Sequence, residues 1–197
     1  MIANALRLIV DEVNQYINSL EPNRTGPDVV ELGHIALADS AEQARGGTLD
    51  RVILSLVNLE EEKRLKNNGR KVKVGDNVQL SNPPINLNLY LLFSASILDY
   101  PMALHRLSQV IEFFQGKYVF TVANSPNPRV VDDESLADMK LILDIHTLNF
   151  EQINDLWGSL GGKQVPFVVY RTRLLELRRD AVLQAAPLIE QINEESN

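Results

Sequence analysis

The sequence contains no cysteine, and it has only three histidines and one tryptophan among 197 residues. The absence of thiols excludes disulfides, thiolate nucleophiles and cysteine-ligated metals, and it fits synthesis in a reducing compartment. His34, His105 and His146 lie far apart, and none belongs to an H-E-x-x-H pattern of the kind that binds zinc. The sequence therefore predicts no metal and no cofactor.

Long uncharged stretches and an excess of basic residues are also missing. No segment approaches the roughly 18 uncharged apolar residues that a membrane span needs, so we predict none. The first seven residues lack the basic start of a signal peptide. The net charge is -7, from 19 basic and 26 acidic residues, which disfavours nucleic acid as a partner.

The glycine-rich stretch GSLGGK, residues 158–163, lacks the spacing of two enzymatic loops. A phosphate-binding P-loop ending in this Gly-Lys pair needs glycine at position 157 and a hydroxyl at position 164, where Trp157 and Gln164 stand. A nucleophile elbow around Ser159 also needs glycine at position 157. Helical apolar spacing before the glycines and β-branched residues after them instead predict helix, glycine stop and strand.

The periodicity of apolar residues predicts an α+β fold. We expect a single domain with a mixed, mostly antiparallel sheet covered by three main helices, because strands and helices alternate irregularly. Residues 1–178 form this domain in our interpretation, and residues 179–197 form a C-terminal helical tail interrupted by Pro187. The predicted helices are Ile2–Leu20, Asp99–Gln115, Phe150–Leu160 and a segment from Asp180, and the predicted strands are Val29–Ala36, Arg51–Leu59, Ile85–Ser94, Tyr118–Val122, Lys140–Leu148 and Pro166–Leu177.

One pair of residues in the sequence is a candidate for catalysis. Asp144 and His146 are two residues apart on a predicted strand, so a carboxylate there is able to orient an imidazole. No nucleophile or third group stands near them in sequence. We therefore predict that the chain is not an enzyme, and an enzyme whose site is assembled from distant residues remains the alternative.

A charged segment of mixed sign runs from Glu60 to Lys71 and contains Asn-Asn-Gly. We interpret it as a solvated loop, with a docking arm for a partner of complementary charge as the functional alternative. Trp157 lies on an apolar stripe, where tryptophan belongs to a core or to an interface. The candidate interface residues are Glu60, Glu61, Glu62, Lys63, Arg64, Lys66, Arg70, Lys71 and Trp157.

Several segments together resemble a bacterial family that was long catalogued as a domain of unknown function. They are LSLVNLEEEKRLKN from Leu54, PPINLNLYLLFSA from Pro83, YPMALHRLSQVIEFFQ from Tyr100 and FEQINDLWGSLGGKQVPFVVYRTRLLEL from Phe150. The family includes the tail-terminator, or cap, proteins of extracellular contractile injection systems. These systems are headless, phage-tail-like particles such as the antifeeding prophage and the Photorhabdus virulence cassettes.

This resemblance implies a structural role. Family members form a homo-hexameric ring that ends the inner tube and the contractile sheath and anchors one to the other, so an inner tube protein and a sheath protein are the expected partners. No DNA passes through such a particle. The resemblance also implies synthesis in the bacterial cytoplasm and release within an assembled particle. A non-enzymatic adaptor that binds cargo or assists assembly of the same particle is the alternative.

Overall fold

A computed structural model of the chain describes residues 2–38, 50–62, 70–74, 77–81, 85–125, 139–177 and 182–187. The main helices in these ranges are α1 (Ile2–Leu20), α2 (Tyr100–Gly116) and α3 (Phe150–Ser159). The strands are β1 (Val30–Leu32), β2 (Arg51–Glu61), β3 (Arg70–Val74), β4 (Asn77–Ser81), β5 (Ile85–Ser96), β6 (Val119–Thr121), β7 (Lys140–Ile145), β8 (Phe167–Leu177) and β9 (Val182–Pro187).

Six of the strands form one sheet in the order β1-β2-β5-β8-β7-β6. The pairing of β1 with β2 is parallel, and every other pairing in this sheet is antiparallel. Strands β3, β4 and β9 form a second, antiparallel sheet. The predicted fold class, α+β with a mixed and mostly antiparallel sheet and three main helices, is confirmed.

Helices α1 and α2 pack on one face of the six-stranded sheet, which we call the core face. Apolar residues of α1 recur at helical spacing and bury the stripe that contains Leu6, Ile9, Val13 and Ile17. Helix α2 begins after Asp99, has proline in its first turn as predicted, and buries a stripe of its own. An aromatic cluster fills the space between α2 and the sheet, and it consists of Phe93, Phe113, Phe114, Phe120 and Tyr170.

Helix α3 packs on the opposite face of the sheet, which we call the outer face. Trp157 on this helix is 4% exposed and contacts the ring of Phe167 edge-on, with 5.4 Å between centroids. Gly161 and Gly162 follow the helix with φ of 100° and 79°, and the Gly162 amide donates to the Trp157 carbonyl at 2.7 Å. The prediction of a helix, a glycine stop and a strand for this stretch is confirmed.

Some predicted strand bounds were wrong. The strand predicted for Val29–Ala36 is only three residues long, and residues 35–38 are helical. The nearly continuous apolar run of Arg51–Leu59 is typical of a strand buried on both faces, but the buried part of β2 ends at Ser55. Ile145 alternates with the buried Leu141 and Leu143 and is expected to be buried with them, but it is exposed at the end of β7.

The second sheet was not predicted. Residues 182–187 were assigned to a helix, but they form β9 against β4. A short run of alanine and valine suits either structure, and here a partner strand that is remote in sequence decides between them. Pro187 ends the strand, whereas in a helix interior it costs about 3 kcal/mol. The division of the chain at residue 178 stays a prediction, and the rest of the tail lies outside the described residues.

Candidate interaction surface

The charged segment predicted as a loop from Glu60 to Lys71 begins and ends in strands. Glu60 and Glu61 are the last residues of β2, and the Glu62 amide donates to the Asn86 carbonyl at 2.8 Å. The backbone of Arg70 and Lys71 opens β3. The interpretation as one continuous loop is therefore wrong at both ends. Lys63, Arg64 and Lys66 lie outside the described residues.

A β-bulge decides which way the end of β2 faces. The pairing of β2 with β5 shifts by one residue between Leu56 and Asn58. An inserted residue reverses the alternation of side chains that follow it. Leu59 therefore pairs with Leu89 on the core face, while Glu60 pairs with Asn88 on the outer face.

The glutamates at the end of β2 are held by neutral donors on the outer face. The Tyr90 hydroxyl donates to Glu60 Oε2 at 3.0 Å, and Asn58 Nδ2 donates to Glu60 Oε1 at 3.1 Å. Asn88 Nδ2 donates to Glu62 Oε2 at 3.1 Å. Burial raises the pKa of Tyr90, and the hydrogen bond to Glu60 raises it further, so the phenol remains a protonated donor at neutral pH.

Basic residues lie on β8, which is separated from these glutamates by β5. Arg171 is the register partner of both Tyr90 and Asp144. Arg173 donates to Asp144 Oδ2 at 3.2 Å, and Arg171 lies 4.0 Å from the same oxygen. The outer face is thus acidic along the end of β2 and basic along β8, with Asp144 bound to the basic side.

Asp144 and His146 are not arranged as a catalytic pair. Asp144 binds the two arginines, whereas the ring of His146 contacts Tyr90 edge-on, with 5.1 Å between centroids. Among the residues that the structure describes, no group of three His, Asp or Glu side chains is placed to hold a metal ion. The described side chains on this face make ion pairs and hydrogen bonds.

A cleft of about 360 Å³ opens between α3 and the outer face of the sheet. Its polar lining is Asn58, Glu60, Tyr90, His146 and Gln152, and its apolar lining is Val57, Leu148, Leu156 and Val169. Residues from β2, β5, β8 and α3, together with the segment after β7, meet here. Sequence analysis found Glu60 and His146 but not Tyr90, because the strand register that joins them is not visible in the sequence.

Asparagine side chains occupy the two outer edges of the six-stranded sheet. On β1, Asn14 Nδ2 donates to the Val30 carbonyl at 2.8 Å and Asn14 Oδ1 accepts from the Val30 amide at 2.9 Å. On β6, Asn124 Nδ2 donates to the Val119 carbonyl at 3.0 Å and Asn124 Oδ1 accepts from the Thr121 amide at 2.8 Å. These amides take the place of a neighbouring strand and block further pairing there.

The six-stranded sheet has a third edge along the end of β2, because β1 is much shorter than β2. Strand β1 pairs only with Val52–Leu54. The Ser55 hydroxyl then donates to the Gly33 carbonyl at 2.8 Å and accepts from the Ile35 amide at 3.1 Å, which ends the pairing. Beyond it, residues 56–61 have β5 on one side and no strand from the described ranges on the other.

Large apolar side chains are exposed at several places on the described surface. Phe150 is 92% exposed at the start of α3, and Leu98 is 84% exposed before α2. Leu56 and Leu59 are exposed near the free edge of β2. Exposed apolar side chains that cluster mark interfaces more often than isolated ones do. Trp157 is buried within the chain itself, and its part in an interface stays a prediction.

Comparison with known proteins identifies the family. The model of the Pvc16 N-terminal domain family matches residues 5–191. The chain belongs to this family. The match covers nearly the whole sequence, including most of the tail after residue 178. The comparison with curated proteins gives no significant match.

Solved structures that are similar to this member of the Pvc16 N-terminal domain family include two terminators of contractile particles. One is the tube-terminating cap of the anti-feeding prophage, with 14% identity, a TM-score of 0.51, and coverage of 92% of this chain and 59% of that chain. The other is the sheath/tube terminator of the PVC extracellular contractile injection system in its extended state, with 15% identity, a TM-score of 0.47, and coverage of 95% and 65%. The chain thus spans less than two thirds of either protein's length. None of the helices in the described ranges has the length and hydropathy of a membrane span.

Proposed function

We propose that the chain is a structural cap that ends the inner tube and the contractile sheath of a phage-tail-like injection particle. In this proposal six copies form a ring that joins tube and sheath, and the chain is not an enzyme. The family match over residues 5–191 carries the proposal. The fold that the chain shares with the tube-terminating cap of the anti-feeding prophage supports it.

The free edge of β2 supports a contact with the sheath. An extended segment of another protein adds to a sheet wherever a strand edge is unpaired, because the backbone groups there need partners. Among the described residues, Leu56 to Glu60 offer such an edge, and the two asparagine-capped edges do not. We therefore place the sheath contact at β2.

The segment between Glu62 and Arg70 is the proposed docking arm. Deleting residues 64–68 is expected to leave the domain folded, because four of these five residues are charged or polar, as is typical of a solvated segment. The same deletion should weaken binding to purified tube or sheath protein. A deletion variant that folds and binds both proteins at full strength would remove the arm from the proposal.

Electron microscopy of particles from cells that lack the protein tests the proposed function. Tubes and sheaths of uncontrolled length with bare ends, restored to normal by the wild-type gene, are the expected result. Averaged images of particle ends should show a sixfold ring when the protein is present. Particles of normal length with normal ends would refute the cap, and normal particles that lack cargo would support the adaptor instead.

A further inference from the structure

The cleft between α3 and the outer face holds a carboxylate with no cation beside it among the described residues. Within the described ranges, Glu60 accepts hydrogen bonds from the neutral groups of Tyr90 and Asn58 and from no charged donor. By contrast, Asp144 is bound by arginines and Glu12 by Lys117. A carboxylate has about four lone-pair sites, so Glu60 retains capacity for further donors.

The walls of the cleft suit a long side chain with a charged end. Val57, Leu148, Leu156 and Val169 provide apolar surface, which covers the methylene stem of an amphipathic side chain. The volume of about 360 Å³ is at the lower end of the range of ligand pockets, about 300–1,000 Å³. The cleft therefore has room for one side chain rather than for a large cofactor.

The head group that fits is a planar cation. The rings of Tyr90 and His146 line the cleft next to Glu60, and a guanidinium combines cation–π contact with paired hydrogen bonds to a carboxylate. Anions are disfavoured by the charge of Glu60. Divalent metals need more acidic or imidazole ligands than the described residues bring together here.

We propose that this cleft binds an arginine side chain presented by a partner protein, with its guanidinium on Glu60 and its stem against Leu156 and Val169. Arg171 is the register partner of Tyr90 on β8, and Asp144 offsets its charge. Glu60 is exposed at the rim of the cleft, so a partner is able to reach it. The proposal of an arginine site rests on this geometry and does not depend on the proposed capping role.

A titration with blocked amino acids tests the site. The uniformly ¹⁵N-labelled chain is titrated with N-acetyl-arginine methylamide, and amide shifts are followed by NMR. The neutral isostere, N-acetyl-citrulline methylamide, tests the need for charge. We expect saturable shifts in the amides of Tyr90, His146 and Leu156 with arginine, and binding at least about tenfold weaker with citrulline, since a charge-assisted hydrogen bond is lost.

Two matched variants complete the test. Glu60→Gln keeps the shape of the side chain and removes its charge, and it should weaken arginine binding about tenfold or more. Glu112→Gln removes the same charge from the exposed surface of α2 and should leave the affinity unchanged. Tyr90→Phe keeps the ring and removes the hydroxyl that positions Glu60, so it should weaken binding by a smaller factor.

Three results would overturn the proposal. Equal affinity for arginine and citrulline would show that charge is not recognised. Unchanged affinity in a folded Glu60→Gln variant would show that the carboxylate is not the acceptor. Equal affinity for N-acetyl-lysine methylamide would show that the cleft does not select a guanidinium.

Discussion

The buried side chain of Asn14 joins α1 to the edge strand β1. Its amide donates to the Val30 carbonyl and accepts from the Val30 amide, and Asn14 is 4% exposed. Replacing it in Asn14→Leu keeps a side chain of similar size and an apolar character that suits the surrounding core. The substitution leaves both backbone groups of Val30 buried without a partner. We therefore expect Asn14→Leu to destabilise the fold.

The expected loss follows from the two unpaired groups. Each buried backbone group left unsatisfied costs about 1–3 kcal/mol, which gives about 2–6 kcal/mol for the amide and the carbonyl of Val30. Burial of the leucine side chain offsets about 1–2 kcal/mol of this cost. At the midpoints of these ranges, the free energy of unfolding should therefore fall by about 2.5 kcal/mol, and the Tm by about 5–10 °C for a chain of this size.

Urea and thermal unfolding measure the loss, with fluorescence of the single tryptophan, Trp157, as the signal. Asn18→Leu is the matched control, because Asn18 is on the same helix and binds only the exposed Arg24 in the described hydrogen bonds. The control should change the free energy of unfolding by less than about 0.5 kcal/mol. If Asn14→Leu is as stable as the control, the amide does not hold β1 in the way described.

Three further substitutions test other contacts. The hydrogen bond from Arg106, followed by that from Gln109, lowers the pKa of Glu21 to about 2; its stabilising effect should therefore be present at neutral pH and be lost as the pH falls from about 4.5 towards 2. In urea unfolding at a series of pH values, the free energy of unfolding of Glu21→Gln should vary by about 1 kcal/mol less over this pH range than that of the wild type. An unchanged pH profile would contradict this prediction. Thr172 is fully buried on β8 and its hydroxyl has no partner among the described residues, so Thr172→Val should stabilise the fold by up to about 1 kcal/mol, and a loss of stability would show that the hydroxyl does have a partner. Gly162→Ala should cost about 1 kcal/mol in thermal unfolding because φ is 79° there, whereas Gly158→Ala inside α3 should stabilise the helix; equal effects would rule out the backbone explanation.

Local patterns predicted the elements that depend on neighbouring residues. The apolar stripe of α1 and the glycine stop after α3 depend on short stretches of sequence, and both predictions are confirmed. The alternation along β5 correctly identified a strand, yet its second face is also largely buried, at Leu92 and Ser94. Sequence periodicity cannot show this, because α3 comes from a segment more than 50 residues further along the chain.

The candidate site was harder to predict for the same reason. Glu60 was identified by its charge, but its position depends on the bulge after Leu56 and on the hydrogen bond from Tyr90, 30 residues away. Neither the bulge nor the register has a sequence signal at that distance. Strand β3 was missed because its sequence, RKVKV, alternates lysine with valine beside a charged segment, which favours a loop when its partner is unknown.

The distribution of free backbone groups explains why one edge of the sheet is suited to assembly. An unpaired strand edge promotes uncontrolled aggregation, and proteins block such edges unless a partner covers them. Asn14 and Asn124 block the edges of β1 and β6. On β2, the Leu59 amide donates to its neighbour Asn58 at 2.8 Å, a local bond that an incoming strand is able to replace. The same Asn58 side chain binds Glu60, so a strand added at β2 would alter the carboxylate that we propose as the arginine acceptor. Strand addition and arginine binding at the end of β2 are therefore expected to influence each other.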